Sequence, residues 1–168
     1  MWNRCIQFHG HTCKGLAIGY RVGIIALDKL ASRRAIDEEI IAIVENASCA
    51  VDAISVTTGA TLGKGNLLLQ DYGKQVYTFG LRTENKAIRI AVRNLSWPKD
   101  VGIENILSMD EELFAKVEEV ELKLPPKARM HRSYPCSFCD ESVSEAKLRI
   151  RDGKLCCIPC AYEDLKRW

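Results

Sequence analysis

The residues whose types and spacing could support chemistry lie near the start of the chain, in the stretch FHGHTCKGLAIGYR. His9, His11 and Cys13 are spaced two residues apart, and the first two are among only three histidines in 168 residues. In an extended segment, residues two apart point to the same side. The spacing therefore predicts side chains that converge on one metal or one substrate. The alternative is a packed pair of histidines beside an inert cysteine.

Cys13 stands directly before a helical pattern, where free backbone N–H groups and the helix dipole stabilise a thiolate. Cys49 has a similar setting, because it follows Ser48, the predicted N-cap of a second helix. Asp52 lies one turn further along and could orient an imidazole or accept a proton. A buried, inert thiol at Cys49 and a solvated carboxylate at Asp52 are the alternatives. These patterns give the catalytic candidates His9, His11, Cys13, Cys49 and Asp52.

A metal is the first ligand to consider for this cluster, since imidazole nitrogen and thiolate sulfur are both good ligands for transition metals. The predicted ligand set of this second metal site is His9, His11, Cys13 and Cys49. The identity of the ion is left open.

The glycine-rich segment TTGATLGKGN (57–66) invites comparison with a phosphate-binding loop. It does not fit the Walker pattern, because only three residues separate Gly59 from Gly63 and Gly65 replaces the Ser or Thr that holds magnesium. Thr61 and Lys64 remain weak candidates for binding an anionic cofactor through backbone N–H groups and an ammonium. A plain tight turn is an equally good interpretation.

Four cysteines near the end of the chain give the most specific signal. Two Cys-x2-Cys pairs are separated by seventeen residues: Cys136, Cys139, Cys157 and Cys160. Four thiolates at this spacing suit a structural zinc with no open position for catalysis. An alternative pairing of Cys156 with Cys160 has the less common three-residue spacing. The segment between the pairs predicts a hairpin turning at Asp152–Gly153, and AYEDLKRW predicts a short helix. This order is that of a treble-clef finger, which needs its metal to fold.

The elements that must position these residues indicate an α+β fold, in which an antiparallel or mixed sheet packs against helices. Helices are predicted at 14–33 and 48–59, a buried strand at 38–45, and antiparallel strands over 66–93. SMDE (108–111) predicts a capping box before a third helix in ELFAKVEEVELKL. Gly15, Gly19 and Gly23 lie four apart on one face of the first helix and predict close approach of another backbone.

A change in composition divides the chain. The segment LPPKARMHRSYP has three prolines, several basic residues and few bulky apolar ones, which is typical of a linker. The predicted organisation is a core domain at 1–124, a linker at 125–133 and a zinc finger at 134–168.

Composition limits the remaining function classes. The net charge of +2 argues against strong non-specific binding of nucleic acid. Residues 123–168 carry ten Lys/Arg and six Asp/Glu, whereas residues 1–122 carry fourteen and sixteen, so the C-terminal part is mildly basic. No apolar run approaches the ~20 residues of a membrane span, and no signal peptide opens the chain. A cytoplasmic, reducing location is expected, in which eight cysteines indicate metal or redox groups.

With these motifs in hand, the chain resembles the E-subunit family of formylmethanofuran dehydrogenase over nearly its whole length. The resemblance rests on FHGHTCKGLAIGYR, ASCAVDAISVTTGATLGKGNL, DYGKQVYTFGLR and the four-cysteine finger. It implies an α+β core, a homodimer, and an active site around the His-Gly-His-x-Cys motif. Two departures are Lys14, where the family usually has proline, and Ala60, where it usually has cysteine. The second departure argues against redox chemistry that needs a third thiol.

Two classes of function follow. The first is a metal-dependent enzyme or enzyme subunit of one-carbon or redox metabolism, such as an oxidoreductase within a larger complex. The alternative is a non-catalytic accessory or regulatory protein whose finger binds a protein or nucleic-acid partner through its basic residues. A third interpretation has Cys13 binding a thiol-reactive or carbonyl ligand covalently. The sequence leaves open whether the chain is itself an enzyme.

Overall fold

The computed structural model describes residues 1–84 and 86–162. The chain forms two compact units, a core unit, Met1–Ala128, and a smaller unit that begins at Arg129. Residues 125–128 belong to the core unit. Arg82 Nη1 donates a hydrogen bond to the Pro125 carbonyl at 2.7 Å, and the Ala128 N–H donates to the Glu38 carboxylate at 3.2 Å.

The core unit is a mixed sheet covered by helices, which confirms the predicted α+β class. Its helices α1 to α5 are Trp2–His9, Lys14–Lys29, Ala50–Thr58, Ile103–Ser108 and Glu111–Phe114. Its strands β1 to β5 are Ile40–Val44, Leu67–Leu69, Val76–Leu81, Lys86–Val92 and Ala115–Glu119. The strand order is β2-β1-β3-β4-β5, in which β1 and β2 are parallel and the other pairs are antiparallel.

The hydrophobic core lies between this sheet and the helices. In the central strand β3, Phe79 is fully buried and lies opposite Ile88 of β4 and Ala42 of β1. Val22 of α2 and Ile54 of α3 belong to the same buried cluster. Burying side chains of this size contributes roughly 1.5–3 kcal/mol each, so the core holds α2 and α3 against the sheet.

Close packing of α2 on α3 depends on glycines, as their spacing predicted. A Cβ at Gly19 would overlap the backbone of Ala50, and one at Gly23 would overlap the Thr57 side chain. Gly15, nearest the start of α2, has more room, since its Cβ would lie 3.1 Å from the Cβ of Cys49. The first turns of both helices are therefore held side by side.

Several predicted boundaries were wrong in detail. Helix α2 ends at Lys29 rather than near residue 33. Helix α3 has Cys49 rather than Ser48 as its N-cap, although the Ser48 hydroxyl accepts a hydrogen bond from the Ala50 N–H at 3.4 Å. In the segment 66–93, predicted as antiparallel, β2 instead pairs in parallel with β1.

The predicted third helix is the largest error. Asp110 caps α5 without a side-chain hydrogen bond, so the capping box does not form, and α5 lasts only four residues. The chain continues as β5, in which Val117 lies opposite Ile90 of β4. Pairing with a free edge of the sheet outweighs the helix propensity of the Glu and Lys residues.

The smaller unit contains two short hairpins and one helical turn in the order predicted for a treble-clef finger. Its elements are β6 Ser133–Pro135, β7 Ser142–Ser144, β8 Arg149–Arg151, β9 Lys154–Cys156 and α6 Ile158–Ala161. Asp152 and Gly153 both have positive φ, at 50° and 72°, and form the predicted turn between β8 and β9. The helix predicted in AYEDLKRW falls mostly on residues 163–168, which lie outside the described residues.

None of the helices in residues 1–84 and 86–162 combines the length and the apolar character that crossing a membrane requires.

Candidate metal centres

The predicted reactive cluster is assembled at the end of a helix and not along an extended segment. His9 is the last residue of α1, and Gly10 caps that helix in the left-handed conformation at φ 92°. Glycine adopts this conformation without steric cost. The turn directs the chain away from α1 towards the start of α2, so that residues before and after Gly10 can approach each other.

Three predicted donors converge there. The ligand atoms of His9, His11 and Cys13 all lie within 4.8 Å of one another. The Cys13 sulfur lies 3.9 Å from Nε2 of His9, and the two imidazole rings are 4.5 Å apart between centroids. His11 is exposed, whereas the other two are half-buried. The cluster is therefore anchored on one side and open to solvent on the other.

Asp52 fixes the orientation of the His9 ring. Its Oδ2 atom lies 2.8 Å from Nδ1 of His9, and the His9 side chain is only 11% exposed. A carboxylate at this position favours the tautomer that carries its proton on Nδ1. The lone pair on Nε2 is then directed towards Cys13 and His11, as in the carboxylate–histidine–metal arrangement of many metal sites.

The backbone at the start of α2 supports the Cys13 sulfur. Cys13 is the N-cap of this helix, and its Sγ accepts a hydrogen bond from the Leu16 N–H at 3.3 Å. Both this N–H group and the positive end of the helix dipole stabilise negative charge on sulfur. Cys13 is consequently suited to act as a thiolate ligand or a nucleophile.

Cys49 adjoins this cluster without completing it. The group of donors within 4.8 Å of one another consists of His9, His11 and Cys13, and it does not include Cys49. Burial raises the pKa of the Cys49 thiol, and its hydrogen bond and charge interaction with Cys13 raise it further. Without a cation between them, two sulfurs so close together cannot both ionise easily.

The chemistry of the donors fits a transition metal. Two imidazole nitrogens and one thiolate provide the same number of protein ligands as a catalytic zinc site, in which a fourth position is left for water or substrate. Ligand atoms around a tetrahedral zinc are about 3.3–3.8 Å apart, so the 3.9 Å between Cys13 Sγ and His9 Nε2 needs little adjustment. Cys49 is near enough to Cys13 to be an additional or alternative ligand.

The loop that contains Thr61 and Lys64 is held by its own hydrogen bonds. The Lys64 ammonium donates to the carbonyl oxygens of Ile36 and Asp37 at 3.3 and 2.8 Å. The Thr61 hydroxyl accepts a hydrogen bond from the Lys64 N–H at 3.3 Å. The structure places Lys64 in a structural role and does not bring it to the His9 cluster.

The four predicted cysteines of the smaller unit form a second cluster. The sulfur atoms of Cys136, Cys139, Cys157 and Cys160 lie within 4.8 Å of one another. The thiol of Cys156 is directed away from them and contacts the Arg149 carbonyl at 3.6 Å. The cluster can therefore hold a metal through two Cys-x2-Cys pairs, and four sulfur ligands are typical of zinc.

The pKa values in this cluster depart from the usual thiol range in opposite directions. Burial opposes ionisation of Cys136, but N–H groups of Cys157, Phe138 and Cys139 lower its pKa to about 6. The neighbouring Cys157 raises the pKa of Cys160. Negative charge is thus favoured on the Cys136 sulfur and disfavoured on the Cys160 sulfur. This difference is expected of thiols that are close enough to share one cation.

A cavity beside the first cluster has no counterpart among the sequence motifs. It has a volume of about 260 Å³, lies between α1 and α3, and is lined by Arg4, Gln7, Phe8, Arg34, Ser55, Val56 and Thr61. Among these lining residues, only Thr61 was a candidate binding residue in the sequence analysis. No local motif marks the two arginines, because they come from separate segments that the fold brings together.

Comparison with solved structures supports the fold. A crystal structure of a tungsten formylmethanofuran dehydrogenase E-subunit (FmdE)-like protein from Syntrophus aciditrophicus superposes with a TM-score of 0.68. The two proteins are 20% identical, and the match covers 94% of this chain and 88% of the other. At this identity the match establishes the shared fold alone.

A relative of known sequence is a "Probable S-adenosyl-L-methionine-binding protein" of Archaeoglobus fulgidus, which is 30% identical over 193 residues. The match covers 94% of this chain but 51% of the relative, so the chain spans about half of that protein's length.

The family model described as "FmdE, Molybdenum formylmethanofuran dehydrogenase operon" matches residues 8–133. This range is about three quarters of the chain and contains His9, His11, Cys13, Cys49 and Asp52. The chain therefore belongs to the FmdE family.

Proposed function

We propose that the chain is a metal-dependent enzyme or enzyme subunit whose reactive centre is a metal ion held by His9, His11 and Cys13. The observation that supports this most directly is the convergence of three donor atoms within 4.8 Å, one of them on an imidazole oriented by Asp52. Membership of the FmdE family favours a role in one-carbon or redox metabolism.

Each residue has a distinct role in this proposal. Asp52 holds the proton of His9 on Nδ1 and leaves Nε2 free to coordinate. The Leu16 N–H donates a hydrogen bond to the Cys13 sulfur and helps to fix its position as a ligand. His11, on the exposed side, borders the open position where substrate or water would enter. A bound metal would supply Lewis-acid catalysis or activate a water molecule.

Metal content tests the proposal. We expect the full chain, purified without chelators, to contain two metal ions as measured by mass spectrometry. Cys13→Ser and His9→Ala should each retain one ion, because the finger keeps its own. His131→Ala is the matched control: this third histidine bonds to Glu145 in the smaller unit, and its variant should retain both ions. One ion per chain, unchanged by Cys13→Ser, would contradict the proposal.

S-adenosyl-L-methionine is the first small molecule to test as a ligand, because the name of the Archaeoglobus fulgidus relative includes it. Titration calorimetry with the metal-loaded chain measures the affinity directly. Micromolar binding would support a ligand shared with that relative, whereas absence of binding at millimolar concentration would contradict it.

A non-catalytic role is the second candidate function. It is favoured by exposed basic side chains of the smaller unit, Arg149 and Lys154 on the β8–β9 hairpin. Binding to nucleic acid should then weaken steeply with salt and be lost in a double Arg149→Gln, Lys154→Gln variant. Absence of binding at low salt would exclude nucleic acid as the partner of the smaller unit.

A further inference from the structure

The cavity between α1 and α3 has an unusual charge for its size. Arg4 and Arg34 line the same space of about 260 Å³, and no acidic residue lines it. Within residues 1–84 and 86–162, neither guanidinium has a carboxylate within 4.0 Å. Two like charges beside one cavity repel each other unless an anion lies between them.

Arg34 is exposed, but one side of its guanidinium is held by the fold. Its Nε donates a hydrogen bond to the Val56 carbonyl of α3 at 2.9 Å. The remaining guanidinium nitrogens are left to bind another group. A positioned arginine fork is well suited to bind a carboxylate or phosphate through two hydrogen bonds.

The other walls supply complementary contacts. Phe8 is 64% exposed and presents an aromatic side chain at the cavity. Ser55 and Thr61 add hydroxyl groups. A flat apolar surface beside two cations and two hydroxyls favours a ligand with both a ring and an acidic group.

The cavity also adjoins the candidate metal centre. Phe8 directly precedes His9 on α1, and Ser55 lies one turn beyond Asp52 on α3. The His9–Asp52 contact joins the same two helices that form the cavity walls. A ligand held here would extend along the α1–α3 interface towards the metal ligands. The volume is near the lower end of small-molecule sites, about 300–1,000 Å³, which suits one part of a larger ligand.

We infer that this cavity binds the oxyanion group of a small molecule, a phosphate or a carboxylate, between Arg4 and Arg34, with a planar ring of the same molecule against Phe8. The inference deepens the proposed function by naming its substrate class and rests on that function in this respect, but its test measures binding at the two arginines and not the metal content.

Titration calorimetry with four probes tests the inference on the full, metal-loaded chain. Adenosine monophosphate carries a ring and a phosphate, adenosine the ring alone, inorganic phosphate the anion alone, and benzoate a ring with a carboxylate. We expect adenosine monophosphate or benzoate to bind, and adenosine to bind at least about tenfold more weakly than its monophosphate, as loss of a charge-assisted hydrogen bond predicts. Binding of adenosine monophosphate would identify the acidic group of the ligand as a phosphate, and binding of benzoate would identify it as a carboxylate.

Variants locate the binding site. Arg4→Met should lower the affinity for the bound anionic probe about tenfold or more. Its loss should not disturb folding, because Arg4 makes no side-chain hydrogen bond among the described residues. Arg34→Met should act likewise. Phe8→Ala should weaken the ring-bearing probe but not inorganic phosphate. Arg33→Met is the matched control, because Arg33 is an exposed neighbour that does not line the cavity.

Three outcomes would overturn the inference: no anionic probe binds at millimolar concentration, adenosine binds as tightly as its monophosphate, or Arg33→Met weakens binding as much as Arg4→Met. The result is independent of the metal test, because Arg4→Met should leave the metal content unchanged and Cys13→Ser should leave anion binding unchanged.

Discussion

His9 has a different partner on each ring nitrogen, and this separates its two tasks. Nδ1 contacts Asp52 at 2.8 Å and Nε2 faces Cys13 at 3.9 Å. The sequence indicated that His9, His11 and Cys13 belong together because they are close along the chain. The sequence also indicated that Asp52 could orient an imidazole, but the contact spans 43 residues, so the packing of α1 against α3 decides that this imidazole is the one of His9.

Replacing Asp52 by Asn should weaken metal binding at the core site without removing a ligand. The amide cannot stabilise the Nδ1 proton as a carboxylate does, so we expect the dissociation constant to rise about 10- to 100-fold. Competition with a chromophoric chelator measures it. Asp28→Asn makes the same change at an exposed site on α2 and should have no effect. Equal affinities for Asp52→Asn and the unmodified chain would show that the carboxylate does not support the metal.

Cys49 should react slowly with iodoacetamide at pH 7, because burial and the neighbouring Cys13 raise its pKa and keep the thiol protonated. In Cys13→Ser, the hydrogen bond and charge interaction with the Cys13 sulfur are lost, so the pKa of Cys49 should fall and its alkylation rate should rise several-fold. Peptide mass spectrometry of the metal-free chain measures both rates. Cys5 is an internal control, since it is fully buried and should stay unmodified in both proteins. An unchanged rate at Cys49 would mean that the two sulfurs do not interact.

At the scale of the elements, the sequence predicted α2, α3 and β1 well because their apolar patterns coincide with the core they form. It missed α1, although Trp2, Cys5, Ile6 and His9 follow the i, i+3, i+4, i+7 spacing of a helix face. The two-residue spacing of His9 and His11 favours an extended segment, and the eight residues of α1 give only a short periodic signal.

The segment after Phe114 could not have been assigned from its own residues. Ala115–Glu119 contains Lys and Glu residues that favour helix. Its strand exists because β4 offers an unpaired edge, which is a property of the assembled sheet. Errors of this kind are expected where pairing between distant segments decides the conformation.

Gly19→Ala tests the packing of α2 on α3. The added methyl would overlap the Ala50 backbone, which cannot move aside as a flexible side chain could. Overpacking of this kind costs about 1–3 kcal/mol, more than the gain in helix propensity of up to ~1 kcal/mol. We expect a lower midpoint of thermal unfolding. Gly63→Ala is the control, because a Cβ there meets no atom within 4 Å. If the unfolding midpoint of Gly19→Ala equals that of the unmodified chain, α2 and α3 do not pack as closely at Gly19 as the structure indicates.

At the scale of the whole molecule, the two units differ in what stabilises them. The core unit has a continuous apolar core of helices and sheet. The smaller unit has a buried cluster built around Cys136, Cys156 and Cys157. A unit of about 40 residues buries too little apolar surface to fold without a metal or disulfides, so its stability should depend on the ion.

Chelation should therefore unfold one unit and spare the other. Removing metal should abolish hydrogen-exchange protection in β6 to β9, while β3 and β4 of the core unit stay protected. Hydrogen exchange read by mass spectrometry, before and after treatment with a strong chelator, measures this. Restoring zinc should recover protection, and magnesium should not, because thiolates prefer the softer ion. Unchanged protection in β6 to β9 would indicate that the unit folds without metal.

The close contacts that glycines allow between α2 and α3 also affect the residues of the proposed metal site. Cys13 caps one of these helices, and Asp52, in the first turn of the other, holds His9. The positions of Cys13 and of the carboxylate that orients His9 therefore depend on how closely these two helices pack at Gly19 and Gly23. Residues that contribute no ligand would thus help to set the geometry of the proposed metal site.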